Sequence, residues 1–169
     1  MIKKKTPPTE EAARLKMADL CARSEQCRYD ISQKLYRLGV SPAVRESILD
    51  FLTEKKFLDD NRFARSYALD KCRFSCWGPF KIRQGLKLKR VDEDDIEDGI
   101  DSVEEKEWEE ALEKSWHQKV RQLDLIGVNG KENRIKLVRF LLSRGFVYDD
   151  VKSAVYKAVK EQKENKGDE

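Results

Sequence analysis

The sequence of 169 residues lacks long apolar runs. No stretch of about 18 apolar residues occurs, which excludes a membrane-spanning helix. The first residues are basic but no apolar segment follows them, so we expect no secretory signal peptide. With both absent, the sequence predicts a cytoplasmic protein without a membrane partner.

Residues that often catalyse reactions or bind metals are scarce. The sequence has a single histidine, His117, and four cysteines, which are Cys21, Cys27, Cys72 and Cys76. The cysteine spacings, C-x5-C and C-x3-C, match neither a zinc ribbon nor a redox C-x-x-C motif. No histidine, cysteine or paired acid is placed as a catalytic set would require. We therefore expect no enzyme activity, no metal site and no cofactor.

Glycine and proline are also few, at eight and four residues, and the prolines lie at the edges of predicted elements. Ser41-Pro42 and Gly78-Pro79 each place proline at the first position of a helix. Apolar residues recur at every third or fourth position, and no convincing run alternates with period two. The sequence therefore predicts an all-α fold with helices near residues 9–22, 25–38, 42–56, 60–74, 79–90, 93–102, 104–123, 131–144 and 148–162.

A helix–turn–helix pattern occurs three times, around Gly39-Val40, Arg90-Val91 and Gly145-Phe146. The glycines lie where a helix C-terminus favours a left-handed residue, and Arg90 departs from that rule. A further helix precedes each pair, so the repeating unit has three helices. Tandem units of this kind stack on their neighbours, which predicts an elongated, curved array. The expected boundaries are a disordered segment at 1–8, three-helix repeats at 9–57, 58–103 and 104–162, and a polar tail at 163–169.

Charge is segregated along the chain, although the formal net charge is only +3. Residues 1–90 contain 21 basic and 11 acidic residues, residues 91–113 contain 1 and 13, and residues 114–169 contain 13 and 8. Long blocks of one sign favour a partner that carries charges of both signs. Solvated helix faces are the simpler explanation for most single charges.

The most basic segment, residues 71–90, contains seven lysines and arginines, no acid, and interleaved aromatic residues that include Trp77. In a helix that continues to residue 90, Arg83, Lys87 and Arg90 form a row. Such a row suits phosphates or acidic protein groups, and Trp77 either stacks on a base or packs inside the protein. The candidate partner-binding residues are Arg73, Lys81, Arg83, Lys87, Lys89 and Arg90.

Residues 58–67, Leu-Asp-Asp-Asn-Arg-Phe-Ala-Arg-Ser-Tyr, resemble the signature of the RecX family, the bacterial regulators of RecA recombinase. Residues 78–86, Gly-Pro-Phe-Lys-Ile-Arg-Gln-Gly-Leu, resemble the second signature of that family. The resemblance covers about residues 20–103, and the third repeat fits through its pattern. Arg90, where the family usually has glycine, and the acidic block 92–113 depart from the family pattern.

The resemblance implies that the chain lies in the helical groove of the filament that RecA forms on single-stranded DNA. RecX proteins there bridge adjacent RecA subunits, block filament extension, and suppress ATP hydrolysis and strand exchange. We thus expect a monomeric inhibitor that acts in DNA repair, recombination and the SOS response, with at most weak binding to single- or double-stranded DNA. Two alternatives stay open: a helical module that binds nucleic acid directly, and a helical-repeat scaffold for another protein.

Most of the 58–67 stretch also has a structural interpretation. Asp59 is expected to cap the helix that begins at Asp60. Phe63 and Tyr67 are expected to lie in the buried stripe of that helix. Arg62 either pairs with a neighbouring carboxylate or faces a partner.

Overall fold

The structure is a computed structural model that describes residues 7–167, and within them it contains nine α-helices and no strand. The prediction of an all-α fold is confirmed. The largest differences from the predicted bounds are at the start of α2 and at the ends of α7 and α9. Parts of the predicted segments 1–8 and 163–169 lie outside the described residues, and 163–167 continue α9. The helices are α1 (Glu10–Arg23), α2 (Arg28–Arg37), α3 (Pro42–Glu54), α4 (Asp60–Ser75), α5 (Pro79–Leu88), α6 (Glu93–Asp101), α7 (Glu105–Val120), α8 (Gly130–Ser143) and α9 (Tyr148–Gly167).

Local hydrogen bonds set where two of these helices begin. At α4, Asp59 Oδ1 accepts a hydrogen bond from the Arg62 amide at 2.9 Å, which confirms the predicted cap. This bond satisfies an amide that has no acceptor within the first turn. At α2, Cys27 Sγ accepts from the Asp30 amide at 3.4 Å. Because Cys27 is the cap, the helix begins at Arg28 and not near residue 25 as predicted.

The chain divides into two compact units. Of the residues that the structure describes, the first unit comprises 7–66 and Leu86–Gly99, and the second comprises Tyr67–Gly85 and 100–167. In the first unit, α1 and α2 both pack on α3, and in the second, α7, α8 and α9 pack on one another. The boundaries between the three repeats stay a prediction. Fully or almost fully buried aliphatic residues in these cores include Ile31, Leu35, Ile48, Leu49 and Leu52 in the first unit, and Leu125, Leu137, Leu141 and Val151 in the second.

The same turn follows the first helix of each helix–turn–helix pair. Its left-handed residue is Gly39, Arg90 or Gly145, with φ of 78°, 56° and 89°. In all three turns, the amide of this residue donates to the carbonyl three residues earlier, and the next amide donates to the carbonyl five residues earlier. This pair of bonds is the Schellman arrangement of a helix C-terminus. The threefold pattern in the sequence therefore corresponds to a threefold repeat of backbone geometry.

Arg90 adopts the left-handed conformation although its side chain makes that conformation unfavourable by about 1 kcal/mol. Its guanidinium also lies 4.9 Å from the centroid of the Tyr29 ring. Arg90→Gly and Arg90→Ala both remove this contact, but only alanine retains the backbone strain. We therefore expect the glycine variant to be more stable than the alanine variant by about 1 kcal/mol in urea unfolding.

Arg139 provides the matched control for this comparison, because it is exposed in the middle of α8. At position 139 the order of stability should reverse, so that Arg139→Ala is more stable than Arg139→Gly by about 1 kcal/mol. If Arg90→Ala were also more stable than Arg90→Gly, the left-handed turn at position 90 would not be strained.

Two backbone segments of the second unit lie unusually close together. The Gly78 amide donates to the Arg144 carbonyl at 2.7 Å, and the Phe80 amide donates to the Gly145 carbonyl at 3.1 Å. A Cβ added at Gly78 would lie well inside van der Waals distance of the Gly145 carbonyl group, and one added at Gly145 would meet the backbone of Lys81. Glycine at both positions therefore permits the α8–α9 turn to contact the start of α5.

Candidate functional site

The basic row does not continue along α5 to Arg90 as predicted. Helix α5 ends at Leu88, and Arg90 lies in the left-handed turn that follows. The placement of Arg90 on the helix was wrong, because the chain leaves the helical path to form the Schellman turn before α6. Of the six candidate residues, Lys87, Lys89 and Arg90 belong to the first unit, and Arg73, Lys81 and Arg83 belong to the second.

In the first unit, the three candidate residues differ in accessibility. Lys89 Nζ is 2.6 Å from Asp30 Oδ2, and these side chains are only 28% and 26% exposed. Lys87 Nζ is 3.0 Å from Glu93 Oε2, and this pair is about half exposed. Arg90 is exposed, and its guanidinium lies over an aromatic ring of α2. Because exposed ion pairs are weak, Lys87 and Arg90 are the residues of this group most open to a partner.

In the second unit, Arg73 is paired within the chain. Its Nε donates to Glu107 Oε2 at 2.9 Å. This hydrogen bond holds the pKa of the Glu107 carboxyl below its usual range and raises the pKa of the Arg73 guanidinium. Arg83, on α5, is half-buried. Sequence reasoning missed Glu107 as a partner, because nothing in its spacing from Arg73 shows that α4 and α7 meet.

Trp77 lies close to two lysines of the second unit. Lys71 Nζ is 5.0 Å and Lys81 Nζ is 4.8 Å from the centroid of a Trp77 ring. Lys81 Nζ also donates to the Ser143 carbonyl at 3.4 Å. The indole is half-buried and already contacts two cations. These contacts favour a packed Trp77 over one that stacks on a nucleic-acid base.

Polar residues of the 58–67 stretch that lie in the first unit make contacts within that unit. Arg62 Nε lies 2.6 Å from Glu25 Oε1, so of the two predicted roles the pairing with a carboxylate is observed. Phe63 is 7% exposed, as predicted, whereas Tyr67 is only half-buried. The Asn61 side-chain amide donates to two carboxylates of α6 at 3.0 and 2.9 Å. Asn61 and Arg62 thus both have partners within the first unit.

Two of the four cysteines, Cys27 and Cys72, are buried. Burial raises the pKa of the Cys72 thiol to about 12 and that of Cys27 to about 11. Both thiols are therefore protonated at neutral pH and are poor nucleophiles. No group of three or more His, Cys, Asp and Glu residues in the described ranges is arranged to hold a metal ion. Between residues 7 and 167, no helix has the length and apolar character needed to cross a bilayer.

Comparison with known proteins identifies the family. Residues 59–100, which span α4, α5 and most of α6, match the model of the second three-helix domain of RecX. A regulatory protein RecX from Pseudomonas savastanoi pv. phaseolicola is 32% identical over 146 residues, which cover 83% of this chain and 88% of the relative. The chain belongs to the RecX family. Regulatory protein RecX from Clostridium tetani is 31% identical over 147 residues, and the chain spans 64% of the length of that relative.

Solved RecX structures share the fold. A crystal structure of regulatory protein RecX matches with a TM-score of 0.74 at 24% identity, over 90% of this chain and 71% of the other. RecX from Lactobacillus salivarius also gives a TM-score of 0.74, at 18% identity, over 89% of this chain and 96% of the other. The RecX resemblance found in the sequence is therefore confirmed, and the chain is a member of a family of regulatory proteins.

Proposed function

We propose that this chain binds along the filament formed by a RecA recombinase on single-stranded DNA and restrains its ATP hydrolysis and strand exchange. Membership of the RecX family carries the proposal, because a regulatory protein RecX aligns with 83% of the chain at 32% identity. RecA is the target that the family resemblance implies.

The charge of the described residues supports this function. Lys87 and Arg90 are exposed at the end of α5 and in the turn after it, where they suit acidic side chains or phosphates. The acidic block 92–113 has the opposite sign and would orient the protein relative to the partner. Segregated charges of this kind act chiefly on the rate and specificity of association.

The decisive experiment measures ATP hydrolysis by a RecA recombinase on single-stranded DNA at increasing concentrations of this chain. We expect the steady-state rate to fall until the chain saturates the filament. A parallel titration of the same DNA without recombinase should show much weaker binding. These two measurements together separate filament binding from simple competition for DNA.

Each alternative function gives a different result in this pair of titrations. A module that binds nucleic acid directly would bind bare DNA tightly, with a steep loss of affinity as salt rises. A scaffold for an unrelated protein would change neither DNA binding nor ATP hydrolysis. Either result would contradict the proposed function.

A further inference from the structure

A groove runs between helices α7 and α9 of the second unit. It has a volume of about 530 Å³ and an apolar floor. Trp108 and Leu112 are half-buried on the α7 side, and Phe146 and Ala154 are buried beneath. Half-buried aromatic and aliphatic groups of this kind are typical of surfaces that anchor a partner side chain.

Acidic side chains line both edges of this floor, and we name the whole feature the acidic groove. Three glutamates occur at every fourth position of α7, so they form one row. Two acids of α9 lie along the opposite edge, and Lys157 is the only basic residue of the lining. All five acids are exposed. They are Glu105, Glu109 and Glu113 on α7, and Asp150 and Glu161 on α9.

Most of this negative charge is not neutralised within the chain. Glu113 Oε1 lies 3.5 Å from His117 Nε2, but the other four acids have no ion-pair partner between residues 7 and 167. The helix dipole favours negative charge at the start of a helix, which explains the presence of Glu105 and Asp150 in the first turns of α7 and α9. It does not account for Glu109 or Glu161, which lie further along their helices. A cationic partner would account for all of them.

We propose that the acidic groove binds a basic amphipathic helix of a partner protein. The two edges extend for about 12 Å and about 16 Å at a rise of about 1.5 Å per residue, which fits an elongated ligand of two to three helical turns. The apolar face of that helix packs on Trp108 and Leu112, and its lysines and arginines meet the acids on both edges. This inference goes beyond the proposed recombinase function and does not depend on it.

Two synthetic helices of about 15 residues test the proposal directly. Both peptides have one face of leucines. Lysines flank this face in the first peptide, and glutamates flank it in the second. Binding is followed by tryptophan fluorescence, with a Trp108→Phe variant to identify the signal. The lysine peptide should bind and lose affinity as salt rises, whereas the glutamate peptide should not bind. General attraction would favour the glutamate peptide, because the chain has a net charge of +3.

The triple variant Glu105→Gln, Glu109→Gln and Glu113→Gln should bind the lysine peptide about tenfold more weakly or worse, since three exposed charge contacts are lost. The matched control, Glu11→Gln, Glu54→Gln and Glu132→Gln, alters net charge equally at exposed acids outside the groove, and it should bind normally. Equal affinity of both triple variants, or equal binding of both peptides, would overturn the proposal. The proposal would also be overturned if the chain self-associated and the lysine peptide disrupted this self-association, because the groove would then bind a second copy of the chain.

Discussion

Replacement of Gly145 by alanine is expected to lower the free energy of unfolding by about 3 kcal/mol. At φ of 89°, an alanine is strained by about 1 kcal/mol. Its Cβ would also lie well inside van der Waals distance of the Lys81 backbone nitrogen. Because backbone atoms cannot rotate away as a side chain can, α5 must shift, which costs a further amount of about 2 kcal/mol. Urea unfolding followed by circular dichroism measures the loss.

The variant Gly39→Ala separates the cost of the left-handed backbone from the cost of the close contact with α5. Gly39 has nearly the same conformation, with φ of 78°, but the nearest heavy atom to an added Cβ is the Pro7 Cγ at 3.3 Å. A proline side chain in an exposed segment gives way more readily than a helix backbone, so Gly39→Ala should cost only about 1 kcal/mol. If the two variants lost equal stability, the close approach at Gly145 would contribute nothing.

Reversal of charge at Lys87 and Arg90 is expected to weaken binding to the recombinase filament by about tenfold. Each exposed contact is worth about 0.7 kcal/mol, and a tenfold change in affinity corresponds to about 1.4 kcal/mol. The double variant Lys87→Glu and Arg90→Glu should also show a smaller dependence on salt, because fewer attractive charges remain to be screened. The concentration for half-maximal inhibition of ATP hydrolysis, measured at two salt concentrations, checks both effects.

Lys16→Glu with Lys55→Glu is the matched control for this variant. Both lysines are exposed in the first unit and have no ion-pair partner between residues 7 and 167, and their reversal alters the net charge equally. Thermal unfolding should show that both double variants remain folded. Similar loss of inhibition in the two variants would mean that total charge, and not the position of Lys87 and Arg90, determines binding.

The elements of the fold were largely predictable from local signals. Apolar spacing and Ser41-Pro42 placed the start of α3 correctly, and Asp59 placed the start of α4. Each is a property of a few consecutive residues, so the sequence alone contains the necessary information. Arg90 shows the limit, since the repeat predicted a turn there but not whether the arginine would accept the strained conformation. It does, with φ of 56°.

The candidate site was less predictable, because the role of a charge depends on what lies near it in space. The sequence shows that residues 71–90 contain seven basic residues, but not that Lys89 meets Asp30 or that Arg73 meets Glu107. Such partners lie far apart along the chain. The acidic groove was missed for the same reason, since its two edges come from helices separated by α8.

The hydrogen bond from Gly78 to Arg144 has a consequence for synthesis of the protein on the ribosome. Gly78, which directly precedes α5, is synthesised about 66 residues before Arg144, whose carbonyl accepts the hydrogen bond from the Gly78 amide. At about 5 to 20 residues per second, this nascent segment waits between about 3 and 13 seconds for its acceptor. During that interval water must solvate the Gly78 amide, so this junction closes only after Arg144, at the end of α8, has left the exit tunnel.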